Sequence, residues 1–367
     1  MKKGFVLVLL TVVFIGCNQT QKKPVVEEQD GEEIIESKRA ELEFKIDEKI
    51  EVLYYVFLLT DYPLVSRYST TYKEAAIEYF QPYKEHEVIP IIEGLFEQGF
   101  GADFPVNWIF QYGELPELEK KGEVDFPFEL ISSDSLELFR KALSSFYIDA
   151  KCDSFFVSQK GFLDKMILSA EDSIERKDII EVIEDYYGIY KEAKYTMVLS
   201  PLLHQGGFAL ERTDVAEQYA FVGPNKVKDS VPQFDQVFLE QDMIIHEFGH
   251  NYVNPVVDQF LDQTIELEKV LYPIVKERVR EEGYAYWDSY LYELVDRSIT
   301  IRIAEAIYGK AAGEELLAYE KSVGFEHCEF LIEVLKKYED NRTEFKTFSD
   351  FFPSLIESLE TEINRTK

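Results

Sequence analysis

QDMIIHEFGHNYVNP, residues 241–255, sets two of the chain's five histidines four positions apart, with a glutamate beside the first. On a helix, residues i and i+4 share a face, so His246 and His250 can turn both imidazoles toward one ion. Glu247 lies about 100° round the helix axis from His246. That places it beside an ion rather than on it, where a carboxylate can take a proton from water and pass it to a leaving group. Upstream, Asp242 is a possible cap, and Met243, Ile244 and Ile245 read as buried. Asn254-Pro255 predicts the helix end one turn after His250, because the residue before proline avoids helical geometry. Gly249 inside the helix costs about 1 kcal/mol relative to alanine, and close approach of a neighbouring backbone or of substrate would use the space it leaves.

The pattern around this stretch is mostly helical. LEFKIDEKIEVLYYVFLLTDYP reads as a short strand followed by a helix capped by Asp47, with Ile50, Leu53, Tyr54, Phe57 and Leu58 at helical spacing. Further helices are predicted in TYKEAAIEYFQPY, EHEVIPIIEGLFEQGF, SLELFRKALSSFY, SFFVSQKGFLDKMILSAEDSI and RKDIIEVIEDYYGIY. The period then changes. KYTMVLSP, GGFALER and QYAFVG are short β-leaning runs separated by turn residues, and they immediately precede the histidine motif. Three or more helices follow it. The fold class is therefore α+β, mainly helical, with a small sheet before the motif helix. Within SPLLHQGGFALER, Gly206 and Gly207 would let a peptide backbone approach.

The chain begins MKKGFVLVLLTVVFIGCNQT. Lys2 and Lys3 form a basic start, and residues 4–15 are an apolar run too short to span a bilayer. Phe14-Ile15-Gly16-Cys17 looks like the lipobox of bacterial lipoproteins, with a phenylalanine where a leucine-like residue is usual. This reading makes residues 1–16 a signal peptide, Cys17 the lipidated mature N-terminus, and residues 17–40 a polar, disordered tether. Three further parts are expected: a mainly helical part over 41–190, a catalytic core over 191–310, and a helical C-terminal part over 311–367. The expected localisation is an exported chain, lipid-anchored to a bacterial membrane. The 367 residues carry a formal charge of −31. Such a surface repels nucleic acid and anionic membrane and could favour basic or cationic partners, its plainer role being solubility. Cys152 and Cys328 could pair or remain free thiols.

The HExxH segment resembles the zincin metallopeptidases, in which a mixed sheet precedes the active-site helix and its edge strand receives the peptide. More narrowly, H-E-F-x-H-x-x-x-N-P, the early RYSTTYKEAAIEYFQPYKEHEVI and the later YELVDRSITIRIAEAIYG resemble a family of bacterial lipoproteins known only as a domain of unknown function. That likeness runs from about residue 42 to the C-terminus. It implies a zincin-like core with one Zn²⁺ and brings no substrate with it.

A catalytic zinc takes three protein ligands and keeps an open position. Residues 251–256, NYVNPV, do not continue into the metzincin pattern, which points to a glutamate ligand as in gluzincins. The candidates are Glu266, Glu268, Glu277, Glu281, Glu282, Glu293 and Glu305. Glu268 is close to the thermolysin-like spacing but sits in a stretch that reads as a surface helix. Glu293 is chosen. It lies in WDSYLYELVDRSITIRIAEAIYG, dense in apolar and aromatic residues, and Glu293-Leu294-Val295-Asp296 resembles the gluzincin E-x-x-D pattern. Asp296 could then orient a ligand histidine. Arg297, one turn on, could hold a carboxylate, and Tyr286 or Tyr290 could supply a donor to the oxyanion. The expectation is a membrane-anchored zinc metallopeptidase, acting on a peptide or protein substrate with Glu247 as general base. The alternative is an exported binding lipoprotein that keeps the scaffold without turnover.

Overall fold

A computed structural model describes residues 41–366 apart from 123, 125–127 and 282. The signal segment 1–16, Cys17 and the tether to residue 40 lie outside the described residues.

Four strands form a mixed sheet: β1 (Leu42–Lys45), β2 (Lys194–Leu199), β3 (Gly206–Arg212) and β4 (Glu217–Gly223). Their spatial order is β1-β2-β4-β3. β1, β2 and β4 are parallel, and β3 returns antiparallel along β4 with Gly207 opposite Val222. All three β-leaning runs read before the motif are strands, and β3 is an edge. A small hairpin, β5 (Lys226–Lys228) with β6 (Val231–Gln233), follows.

Alternation along the strands sends side chains to two separate cores. Tyr195, Met197, Leu199, Ala220 and Val222 join Phe248, Tyr252, Leu294 and Ile299 on one face. Val198, Leu210, Tyr219 and Phe221 join Leu53, Phe57, Trp108 and Phe139 on the other. The chain is thus mainly helical α+β, its sheet covered on both faces. Cys152 lies in the second core and Cys328 in the first; both are free thiols.

The first helix, Glu48–Phe57, starts where read: the Asp47 carboxylate accepts from Lys49 N at 3.0 Å. SFFVSQKGFLDKMILSAEDSI, read as one helix, is two, Cys152–Ser158 and Lys160–Asp172, broken at Gln159. The motif helix spans Ile244–Phe260. It is preceded by a widened helical turn, Leu239–Met243, and the run is capped by Asp235, which accepts from Phe238 N, rather than by Asp242.

Pro255 does not end the motif helix, contrary to the sequence reading. Proline in a helix interior deprives the carbonyl four residues back of its donor, here Asn251. The Lys191 ammonium donates to that oxygen at 3.1 Å and pairs with Glu211 at 2.6 Å. Replacing Lys191 with methionine strips that partner away. We expect a loss of about 1–3 kcal/mol, read as a lower denaturant midpoint at unchanged slope.

Candidate metal centre

Two helices build the centre. The motif helix supplies His246, Glu247 and His250, and the helix Trp287–Tyr308 supplies Glu293, Asp296 and Arg297. His246, Glu247, Glu293 and Asp296 are buried, Asp296 completely. The Nε2 atoms of His246 and His250 stand 3.2 Å apart. Glu293 Oε1 is 3.3 Å from His250 Nε2, and Glu293 Oε2 is 3.6 Å from His246 Nε2.

Protons decide what this cluster wants. His246 presents Nδ1 to Asp296 Oδ2 at 2.8 Å. His250 presents Nδ1 to Asn254 Oδ1 at 3.2 Å. With an N–H assigned to each Nδ1, both Nε2 atoms carry bare lone pairs. Two lone pairs and a carboxylate then meet at one point, an arrangement that calls for a cation. Ligands held at ~2.0–2.1 Å by a four-coordinate ion stand about 3.3–3.4 Å from one another; the two Nε2 atoms are 3.2 Å apart, and the Glu293 carboxylate turns a different oxygen to each, at 3.3 and 3.6 Å.

Asp296 also brings a ligand atom within 4.8 Å of those of His246 and His250. It approaches His246 from the Nδ1 side, however, whereas Glu293 faces the Nε2 atoms. The ligand atoms of His246, His250 and Asp296 thus lie close enough together to hold an ion, and Glu293 faces both Nε2 atoms beside them.

In protein alone the excess negative charge is met by protons. Burial works against the His246 imidazolium, but Asp296, then Glu293 and Glu247, outweigh it and push the group up to about 10. His250 is pushed up to about 8 against burial, chiefly by Asp296 and Glu293. Glu293 moves the other way: burial opposes its charge, yet Arg297 and the histidines hold it well below the usual carboxylate range. The Arg297 Nε donates to Glu293 Oε2 at 2.8 Å, its other nitrogens to Glu320 Oε2 at 2.6 Å and to the Tyr284 hydroxyl at 3.0 Å. Removing one partner of such a buried ionic group is far more damaging than its net contribution suggests.

Glu247 points toward the sheet edge. A Cβ on Gly207 of β3 would stand 2.5 Å from Glu247 Oε1. Burial raises Glu247 to about 7, partly offset by the two histidines. Gly249 makes room for Asp296: a Cβ there would lie 2.2 Å from Asp296 Oδ1. The space foreseen for a backbone or substrate holds a carboxylate.

Other candidates lie elsewhere. Glu266, Glu268 and Glu277 are on the exposed side of the helix Ile265–Glu281. Glu305 pairs with Arg302. The Glu281 side chain and Glu282 lie outside the described residues. Tyr286 is 73% exposed at the start of its helix. Tyr290 is buried against Phe325, its hydroxyl 3.4 Å from His327 Nδ1. Neither tyrosine joins the cluster. The sequence reading missed Tyr187, whose hydroxyl donates to Asp296 Oδ1 at 3.2 Å. It also missed Glu320, and Asp103, a half-buried carboxyl that burial pushes up to about 6 against its backbone hydrogen bonds and His250. Only the apolar spacing of IIEVIEDYY hinted that Tyr187 faces inward.

The site is thus a cluster of two histidines and two carboxylates on two helices, of which His246, His250 and Asp296 could hold a metal ion. Residues 60–358 match the family described as Domain of unknown function (DUF4932), and the chain belongs to that family. No curated protein and no solved structure matches it.

Proposed function

We propose that this chain is a zinc-dependent hydrolase, a gluzincin-like metallopeptidase of zincin type, exported and held to a bacterial membrane by a lipid on Cys17. The observation that carries the reading is the convergence of His246 Nε2, His250 Nε2 and the Glu293 carboxylate beside Glu247, at the edge strand of a mixed sheet. A zinc ion held by His246, His250 and Glu293 supplies Lewis acidity toward a carbonyl oxygen and acidifies water.

The chain's own residues do the rest. Glu247 receives the proton of the attacking water and delivers it to the departing amine. Asp296 holds the His246 ring so that Nε2 keeps its lone pair. Arg297 fixes the Glu293 carboxylate, and Glu320 and Tyr284 fix Arg297. The outer edge of β3 offers backbone N–H and C=O groups to an extended peptide. Gly207, lacking a side chain, lets that edge run directly against Glu247.

Metal analysis of the purified protein is the test. Wild type is expected to hold one zinc per chain, and His246→Ala and Glu293→Gln to be depleted while folded by circular dichroism. Glu247→Gln is expected to keep zinc and to lose peptide turnover by about 10²–10⁴-fold. A wild type that takes up no zinc would sink the reading. Zinc without turnover on any peptide would favour the silent binding lipoprotein instead. Cys17→Ala, expected to release the protein from membranes, checks the anchor separately.

A further inference from the structure

We propose that Tyr187 is a positioning residue of the metal centre, acting on His246 through Asp296; this rests on the metal reading above. Asp296 is completely buried, and a carboxylate there needs partners to offset its lost hydration. The structure gives it one hydrogen bond and one close charge contact, on different oxygens: the Tyr187 hydroxyl donates to Oδ1 at 3.2 Å, and His246 Nδ1 stands 2.8 Å from Oδ2 without hydrogen-bond geometry. Rotation of the carboxylate about its own axis would break both contacts. Gly249 opens the space in which it sits.

Tyr187 is itself held from three sides. Its ring stacks on Tyr252 at 4.7 Å and meets Phe348 edge-on at 5.9 Å. It is the last residue of the helix Ile179–Tyr187, closed by Gly188 at φ 70°. The helix Cys328–Asp340 and the turn after it grip that helix end: the Tyr338 hydroxyl donates to Tyr186 O at 2.6 Å and Arg342 to Asp185 O at 3.0 Å. A Cβ on Gly188 would come within 2.1 Å of Lys346 O, so the two segments are in direct backbone contact. The reach of one hydroxyl thus ties the orientation of a metal ligand to residues 338–348, far from the motif in sequence.

Tyr187→Phe keeps the ring and removes the donor. Zinc affinity, measured by chelator competition, is expected to fall about tenfold, the lower end for loss of a ligand-orienting contact. In an Asp296→Asn background the same substitution is expected to add nothing, because its route to His246 is already cut. An unchanged affinity in Tyr187→Phe, or an equal loss in both backgrounds, overturns the proposal. A crystal structure of zinc-free Tyr187→Phe separates this from failure of the metal reading. Asp296 is expected to have left its 2.8 Å contact with His246, and an undisturbed contact refutes the positioning role even if wild type binds no zinc.

Discussion

Gly249→Ala is expected to lose zinc binding and stability together. In an ordinary helix interior the change would stabilise by about 1 kcal/mol through propensity. Here the new methyl would stand 2.2 Å from Asp296 Oδ1 and 3.1 Å from the Tyr187 hydroxyl. Asp296 has no exposed side to retreat to. Either the two helices part or the carboxylate turns away from His246. Overpacking of this kind costs about 1–3 kcal/mol, which outweighs the propensity gain. Turning the carboxylate weakens zinc a further ~10–100-fold. Thermal melts with and without a chelator, beside a zinc titration, read both effects. An alanine protein that melted higher and held zinc as tightly as wild type would mean that Asp296 does not depend on this space.

Gly207→Ala is expected to do the opposite: keep the metal and lose the chemistry. Its methyl would meet Glu247 at 2.5 Å from Oε1 and 2.7 Å from Cδ, and the Phe221 carbonyl at 2.8 Å. β3 is paired to β4 from Gly206 to Arg212, so the Glu247 side chain turns away, while relief of the Phe221 carbonyl contact takes only a small shift of β3 against β4. The three atoms nearest the new methyl belong to Glu247 and Phe221, not to His246, His250 or Glu293, and zinc affinity should stay within a few-fold of wild type. Peptide turnover should fall about 10²–10³-fold, the scale of a misplaced general base. If zinc and turnover fell together, β3 would be a support of the ligand helix rather than a wall of the cleft.

The cluster was legible in the sequence because its members lie on two helices at fixed helical spacings. His246 and His250 are i and i+4, and Glu293 and Asp296 are i and i+3, so each pair shares a face whatever the rest of the chain does. What joins the pairs to their surroundings is long-range, and spacing carries no trace of it. From 60 positions away, Lys191 meets the Asn251 carbonyl that Pro255 leaves without a donor, and Tyr187 reaches Asp296 across 109. Tyr286 and Tyr290 mislead for another reason. In a chain with 23 tyrosines, aromatic density marks packing as readily as a cleft, and only the fold shows one in solvent and the other in the core. β1 was readable as a strand, but its parallel pairing with β2 spans about 150 residues of intervening helices.

That pairing has a geometric consequence for reach. The chain enters the sheet through β1, at the margin opposite β3. Three strand spacings of about 4.8 Å put some 14 Å between the two margins. A tag, linker or surface attached ahead of residue 41 therefore joins the molecule at the far border from Glu247.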